Sequence, residues 1–510
     1  MSQYLEQLWT QLPALQVVLP LLVAPLCVLS RHARAAFVLA VVATLGSFAI
    51  AMALFFQLAQ QDAGVISYAF GSWQPPWGIE YRVDRLSSFM LLLVSSIASI
   101  VVLWSYHGIR REIALESHYL FYTMFLLCLA GMLGIIITGD AFNIFVFLEI
   151  SSLSSYVLLS LNNNRRAFAA SFRYLIMGSI GASFIVIGIG FLYLLTGTLN
   201  LADMASRLEH SEHRNALFAA LAFITVGVSL KMALFPLHQW LPNAYAYSPS
   251  AVNAFLAGTA TKASAYVLIR FCYSVFDEPF VFGQLPEGQI LLILSILALI
   301  VANFTAVFQD NLKRLFAWSS IGQIGYITLG IALATPLAIT ASIVHIFNHA
   351  IAKAAIFLLI GGIVSNMATR GADAAVPYMT RLAGISRDMP LTTFGIVLGG
   401  LSLIGVPGTA GFISKWLLVS AALEQGHYWL VAVIVGSSLL AIAYVWRFVE
   451  IAYFSPPPPQ RKPRGEAAIS MQLPAWVLLA ACVYFGLDTS FSVDSAKAAA
   501  AQLIGQSPIK

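Results

Sequence analysis

The sequence predicts an all-α polytopic membrane protein: one bundle of about fourteen transmembrane helices. Three observations point there. The 510 residues are 59% hydrophobic and only 10% charged, with a mean hydropathy of +0.84, which leaves no stretch for a sizeable soluble domain. Apolar runs long enough to cross about 30 Å of hydrocarbon recur from end to end. Between those runs, basic residues collect in alternate loops.

The candidate spans are 12–30, 35–57, 84–106, 118–138, 141–161, 171–196, 215–240, 250–275, 288–308, 315–334, 337–366, 391–421, 429–453 and 474–490. With both termini outside the cytoplasm, the inner loops hold Arg31, Arg34, Arg110, Arg111, Arg165, Arg166, Arg173, Lys313, Arg314, Arg370, Arg381, Arg387, Arg461, Lys462 and Arg464, fifteen basic residues. The outer side holds six: Arg82, Arg85, Arg207, Arg214, Lys497 and Lys510. That asymmetry follows the positive-inside rule and fixes the expected orientation in an inner (plasma) membrane. The first span has no basic residue before it and Arg31 and Arg34 after it, the wrong polarity for a cleaved signal peptide. The net charge of +5 is spread over loops and does not imply nucleic acid. Cys27, Cys128, Cys272 and Cys482 sit in apolar runs without a CxxC, so neither a disulfide framework nor a cluster site is expected.

Outside the spans, 62–84 is rich in Trp, Tyr, Gly and Pro and reads as an interfacial hairpin or cap. The segment 199–214 reads as a short surface helix. Its Glu209, His210, Glu212 and His213 could ligate a metal, but a solvated helical face is the favoured reading and no metal site is expected. The run from Pro456 to Arg464 is a stiff cytoplasmic linker.

The stretch that organises the chain is 222–245, AFITVGVSLKMALFPLHQWLPNAY. It carries one bare Lys231, and an ammonium at mid-bilayer costs about 2.5 to 3.5 kcal/mol on insertion scales. Pro236, one turn on, removes a backbone donor and clashes with the preceding turn, so the helix is expected to break near Leu234 and Phe235. Broken helices at membrane depth persist only where the freed groups face protein or water. Lys231 therefore reads as a proton or ion site. A structural pair or a snorkelling side chain is the alternative.

Once loop charges are removed, Glu149, Lys231, Lys262, His345, His349, Lys353 and Lys415 remain inside spans. One acid, two imidazoles and four lysines suit protons better than a cation cage, which needs several oxygen ligands. If Glu149 lies beside Lys231, each stabilises the other's charge, and losing the contact leaves a desolvated ammonium ready to release its proton. A static bridge between two helices is the alternative. His345, His349 and Lys353 are spaced i, i+4, i+8 and share one helical stripe, a relay geometry. Zinc would need further ligands that the neighbouring sequence lacks. Lys415 follows Gly405, Pro407, Gly408 and Gly411, so it too is expected beside a helix break. Two interrupted spans, each with a lysine near its break, are what an internal duplication leaves behind. Asp140 either admits protons or cations at the outer mouth of the fifth span or simply caps that helix.

The segments GDAFNIFVFLEISSLSSYVLL (139–159), SLKMALFPLHQWLPNAYAYSPSAVNAFLAGTATKASAYVLIR (229–270), LKRLFAWSSIGQIGYI (312–327), HIFNHAIAKAAIFLL (345–359) and GVPGTAGFISKW (405–416) together resemble the antiporter-like family shared by respiratory complex I and multisubunit Na+/H+ (Mrp) antiporters. The pattern around Gly139 to Glu149 is most similar to the D-type Mrp subunits. The run 172–205 is similar both to those and to the N-type subunits of complex I. The resemblance implies two inverted five-helix repeats, each with a broken helix, at 118–275 and 288–453. N-terminal helices at 12–107 and a C-terminal helix and tail at 474–510 complete a single membrane domain over 1–510. It also implies a central polar axis whose glutamate, lysines and histidines match Glu149, Lys231, Lys262, His345, His349, Lys353 and Lys415. Other membrane subunits are the implied partners.

No quinone, flavin or iron–sulfur motif is visible, so no cofactor is expected and electron transfer would belong to partners. The expected function is that of a proton-translocating subunit of a monovalent-cation (Na+ or K+)/H+ antiporter. The alternative is a proton-pumping subunit of a redox-driven complex of the NADH:quinone oxidoreductase or membrane-bound hydrogenase kind. In either, protons would pass Glu149, Lys231 and Lys262, cross by the α-helical His345/His349/Lys353 stripe, and leave by Lys415.

Overall fold

The computed structural model describes residues 2–60, 64–162, 164–209, 213–276, 278–284, 286–367, 376–457 and 465–505, with side chains from residue 9 onward except at 284. Arg370, Arg461, Lys462, Arg464, Lys510, His210 and Glu212, all counted above, lie outside the described residues, as does most of the proline-rich linker.

Two long helices, α1 (Ser2–Ser30) and α2 (Ala33–Ala59), lead into an antiparallel hairpin of β1 (Val65–Ala69) and β2 (Glu80–Asp84). The hairpin is the cap expected from the aromatic segment, with Trp73 and Trp77 exposed at its tip. Asp84 then starts α3 (Arg85–Gly108) with a reciprocal capping box to Ser87. The first half continues through α4 (His118–Ile137), α5 (Ala141–Ser160), α6 (Arg165–Thr196), the short α7 (Leu201–Leu208), α8 (Arg214–Met232), α9 (Leu241–Tyr247), α10 (Ser250–Gly258) and α11 (Ala260–Arg270). The second half holds α12 (Glu287–Leu297), α13 (Asn303–Val307), α14 (Leu312–Leu333), α15 (Pro336–Met367), α16 (Met379–Leu382), α17 (Pro390–Ile404), α18 (Ala410–Glu424), α19 (Tyr428–Val449), α20 (Ile469–Leu487) and α21 (Ser490–Leu503). Among the described residues, twelve helical segments are long and apolar enough to cross a membrane.

Two expected spans, 250–275 and 391–421, are each two shorter helices end to end. The second interruption is the one expected from its Gly and Pro. The first corrects the reading of 250–275 as one continuous helix: Thr259 leaves helical geometry (φ −125°, ψ −54°), and Lys262 Nζ turns back to the Ala257 carbonyl at that joint.

The hairpin end of the bundle is laced together by short bridges. Tyr81 pairs with Thr138 and Asp140 with Asn200, and Gln502 of α21 accepts from the Arg85 amide at 3.1 Å. At the opposite end Asn311 pairs with Tyr378. The axle is α15, buried along nearly its whole length and packed against α3, α10, α14, α17, α18, α20 and α21. Around it, helices such as α2, α6 and α19 bury one face and expose apolar residues such as Val38, Val42, Phe172, Ile180, Leu439 and Trp446 on the other. An apolar perimeter of this kind fits hydrocarbon or neighbouring subunits and would be unstable in water.

The helix that carries Lys231, α8, packs extensively on α6. Gly181 and Gly227 face each other so closely that a Cβ on Gly227 would lie 2.6 Å from the Gly181 carbonyl oxygen. Small residues at such a crossing let the backbones touch, which is how membrane helices gain packing energy. Gly227→Ala should therefore push α8 off α6 and cost about 1–3 kcal/mol of overpacking. A thermal-unfolding scan of the purified protein should show a clear drop in midpoint, and an unchanged midpoint would mean the crossing can relax.

Candidate functional site

The break after Lys231 falls where Pro236 predicts. Helix α8 stops at Met232, Ala233 adopts a left-handed conformation (φ 60°), and helical structure resumes at Leu241. The orphaned end is satisfied from within the protein. Trp240 Nε1 donates to the Leu230 carbonyl at 2.9 Å, the Leu234 amide donates to the Ser229 carbonyl at 3.0 Å, and the Trp240 ring stacks on Tyr174 at 3.9 Å. Lys231 is thus held at a rigid helix end. Its ammonium donates to Glu149 Oε1 at 2.9 Å and to Ser152 Oγ at 2.7 Å, both on α5. The lysine side chain is 3% exposed and the glutamate 25%. A cavity of about 20 Å³, roomy enough for a single water, adjoins Lys231 and is lined by Ser151, Ser152, Ser155 and, from α11, Ser264.

Lys262 lies one turn into α11, fully buried, and donates to the Ala257 carbonyl and to Thr261 Oγ1 (3.3 Å). Lys353 donates to the Phe316 carbonyl at 2.7 Å and to Ser319 Oγ, with its ammonium over the Phe316 ring. Lys415 is the cation at the second break. Gly405 and Gly408 take positive φ values of 87° and 85° around Pro407, and the last carbonyls of α17 are left without helix partners. The Lys415 ammonium fills that role, donating to Leu403 O at 2.9 Å, Ile404 O at 3.0 Å and Ser438 Oγ at 3.0 Å, 4.5 Å above the Tyr326 ring. Among the described residues, none of these three lysines has a carboxylate partner.

The two histidines join the halves. The His345 and His349 rings stack 5.9 Å apart, and Nδ1 of His345 meets Ser414 Oγ at 2.8 Å, one residue before Lys415. His349 lies one turn from both His345 and Lys353 on α15. Lys353 sits two turns along α15 from His345, on the far side of His349. Both His349 ring nitrogens, His345 Nε2, Asn348 Oδ1 and Gln323 Nε2 are buried without a hydrogen-bond partner inside the protein. Buried polar atoms of this kind are ordinarily satisfied by a partner or by ordered water. Among the described residues no group of three or more metal-binding side chains forms, around the histidines or elsewhere.

Asp140 is half-buried and caps α5, accepting from the Asn143 amide at 2.8 Å. One expectation needs correction: Glu149 is not the sole carboxylate withdrawn from water. Glu80, Asp84 and Glu287 are also buried, and Glu112 meets Lys313 at 3.5 Å with both side chains almost fully covered, so Lys313 is not a simple loop charge. These groups sit at helix ends or, for Glu80, at the start of β2, where sequence alone cannot distinguish a solvated charge from a covered one. Sequence reasoning also misses His238, wedged between the Phe235 and Trp318 rings inside the α8 break. A histidine two residues after the breaking proline is the signal that could have found it.

Residues 138–441 match the family described as NADH:quinone oxidoreductase/Mrp antiporter, transmembrane. The chain belongs to this family. It is 39% identical over 496 residues to NADH-quinone oxidoreductase subunit N of Desulforudis audaxviator, covering 93% of this chain and 95% of that one. It is 29% identical over 441 residues to the D-type subunit of the Na(+)/H(+) antiporter of Alkalihalophilus pseudofirmus, covering 86% of each. A chain of the membrane-bound sulfane sulfur reductase, an archaeal respiratory membrane complex, superposes with a TM-score of 0.88 at 28% identity, over 97% of this chain and 98% of that one. The polytopic helical architecture is therefore that of antiporter-like subunits, and these relatives are subunits of multisubunit membrane complexes.

Lys415→Met should release the α17 carbonyls, leaving buried acceptors unpaired at about 1–3 kcal/mol. Hydrogen–deuterium exchange should quicken across 401–409 and stay unchanged across 229–235. Equal change at both breaks would mean that Lys415 does not act as a local cap.

Proposed function

We propose that this family member moves protons across the membrane along its buried Glu149–Lys231–Lys262–His349–His345–Lys415 line, as one subunit of a larger membrane complex. What carries the reading is the arrangement of the cations: of the buried Lys231, Lys262, Lys353 and Lys415, only Lys231 has a carboxylate partner among the described residues, Glu149, and buried polar atoms of His345, His349 and Asn348 without a protein partner lie on the helix between the two halves. Holding four full positive charges at mid-membrane is unfavourable, so protonation of one lysine lowers the proton affinity of the next and a proton advances by displacement. Opening the Lys231–Glu149 contact frees the first proton. The serine-lined cavity and Ser264 support a water-bridged step towards α11, and the stacked imidazoles support the crossing to Lys415. Lys353 serves as a branch reaching towards α14.

The reading also takes the hairpin end and both termini as outward, on the alternation of basic loops, in an inner (plasma) membrane. It takes Asp140 as a group at the outer mouth that both caps α5 and attracts protons or cations. The helices 118–275 and 288–453 are read as two inverted repeats, supported by one lysine-bearing break in each.

The host complex is either a Na+ or K+/H+ antiporter or a redox-driven pump. The higher identity to the subunit N relative favours the second. In vesicles carrying the native complex, Lys231→Ala and Glu149→Ala should each reduce proton movement at least about a hundredfold, the scale of removing a general acid or base, while assembly persists. A pH-sensitive dye decides: movement on adding Na+ or K+ identifies the antiporter, and movement on adding an electron donor identifies the pump. Undiminished movement in both assembled variants would overturn the reading.

A further inference from the structure

A second line of polar groups runs from Lys262 towards the hairpin end and is used by none of the steps above. Lys262, Tyr266 and Arg270 are spaced i, i+4, i+8 on α11 and so lie on one face, with about 6 Å of rise per step. Arg270 is 9% exposed and bound to Asp84, the residue that caps α3. Its Nε donates to the Tyr266 hydroxyl at 2.8 Å, and that hydroxyl donates to the Ile136 carbonyl at 2.7 Å. Over this pair lies a cavity of about 300 Å³, lined by Arg82, Asp84, Tyr266, Arg270, Ser274 and Gln502. Asp84 supplies the carboxylate in that lining, and it also accepts from the Ser87 amide at 2.9 Å. Immediately after Arg270 the helix widens into a π turn, Phe271–Val275, a rare form that is frequent at functional sites.

We propose that this line is an outward proton port for Lys262, gated by the Asp84–Arg270 pair. The inference rests on the relay reading above. In the present conformer the Lys262 ammonium points the other way, to the Ala257 carbonyl, and the port is shut. When the lysine stem swings towards Tyr266, the ammonium gives up one proton and becomes the amine. The tyrosine oxygen, bridged by water, accepts that proton and passes its own hydroxyl proton on, so its net state is unchanged. The Asp84 carboxylate takes the proton as Arg270, which stays charged throughout, moves off it into the cavity. Cavity water then removes the proton, and Asp84 and Arg270 pair again.

The test uses the whole complex in oriented vesicles, with Lys231→Ala as reference. Asp84→Asn combined with Arg270→Gln removes both charges without leaving either buried and unpaired. It should assemble and lose proton movement at least about tenfold, the lower edge of what a proton carrier contributes, while Asp84→Glu keeps most of it. A second measurement does not depend on that pair. Ala202 also borders the cavity, and the four native cysteines are buried, so Ala202→Cys offers one accessible thiol. A charged, membrane-impermeant thiol reagent applied from the hairpin side should block an otherwise active Ala202→Cys complex. Wild-type movement in the double variant, or after complete labelling of Ala202→Cys, overturns the port alone. Wild-type movement in Lys231→Ala overturns the relay beneath it.

Discussion

The constraint on which this protein depends is the shortage of negative charge around its buried cations. Lys231 has Glu149 at 2.9 Å, whereas Lys262, Lys353 and Lys415 are met by backbone carbonyls, hydroxyls and, for two of them, the face of an aromatic ring. Carbonyl and hydroxyl dipoles soften the desolvation of an ammonium but do not neutralise it. A bundle built only for stability would replace such residues with apolar ones, which often leaves stability unchanged or improves it. In the proposed relay, keeping them is what lets one proton's arrival change the proton affinity of the next group.

The interruptions supply the oxygens that make this tolerable. At the Gly405–Thr409 break the last carbonyls of α17 turn to Lys415, and at the Thr259 joint the Ala257 carbonyl turns to Lys262. The α8 break works differently: Trp240 and local amides satisfy the freed carbonyls, leaving the Lys231 ammonium to Glu149 and Ser152. Three lysines thus have carbonyl partners and one has a carboxylate partner, and two stacked imidazoles lie on α15, the most buried of the membrane-length helices.

Much of this is legible without coordinates. Hydropathy and the alternation of basic loops reveal the spans, because the bilayer restricts the chain to helices of known length. Pro236 and Pro407 reveal the two breaks, because each denies its helix a donor at a known position. Contacts are not legible. Nothing in the spacing of Glu149 and Lys231, eighty-two residues apart, states that α5 and α8 are neighbours. Charges near span ends are also hidden: Glu112 and Lys313 read as loop residues, Asp84 and Arg270 fall near the ends of the expected spans 84–106 and 250–275, and nothing in the sequence states that Asp84 meets Arg270 or that Glu112 and Lys313 are covered together. The joint at Thr259 carries no proline, so the sequence holds no breaker to announce it.

The claim that the lysines act as one coupled line is tested most directly by a double-mutant cycle across the junction of the two halves. Proton movement would be measured for Lys262→Met, His349→Ala and the combination in the assembled complex. If His349 receives what Lys262 releases, the double variant should be no slower than the more damaging single variant. Losses that multiply would show two independent functions and contradict the relay.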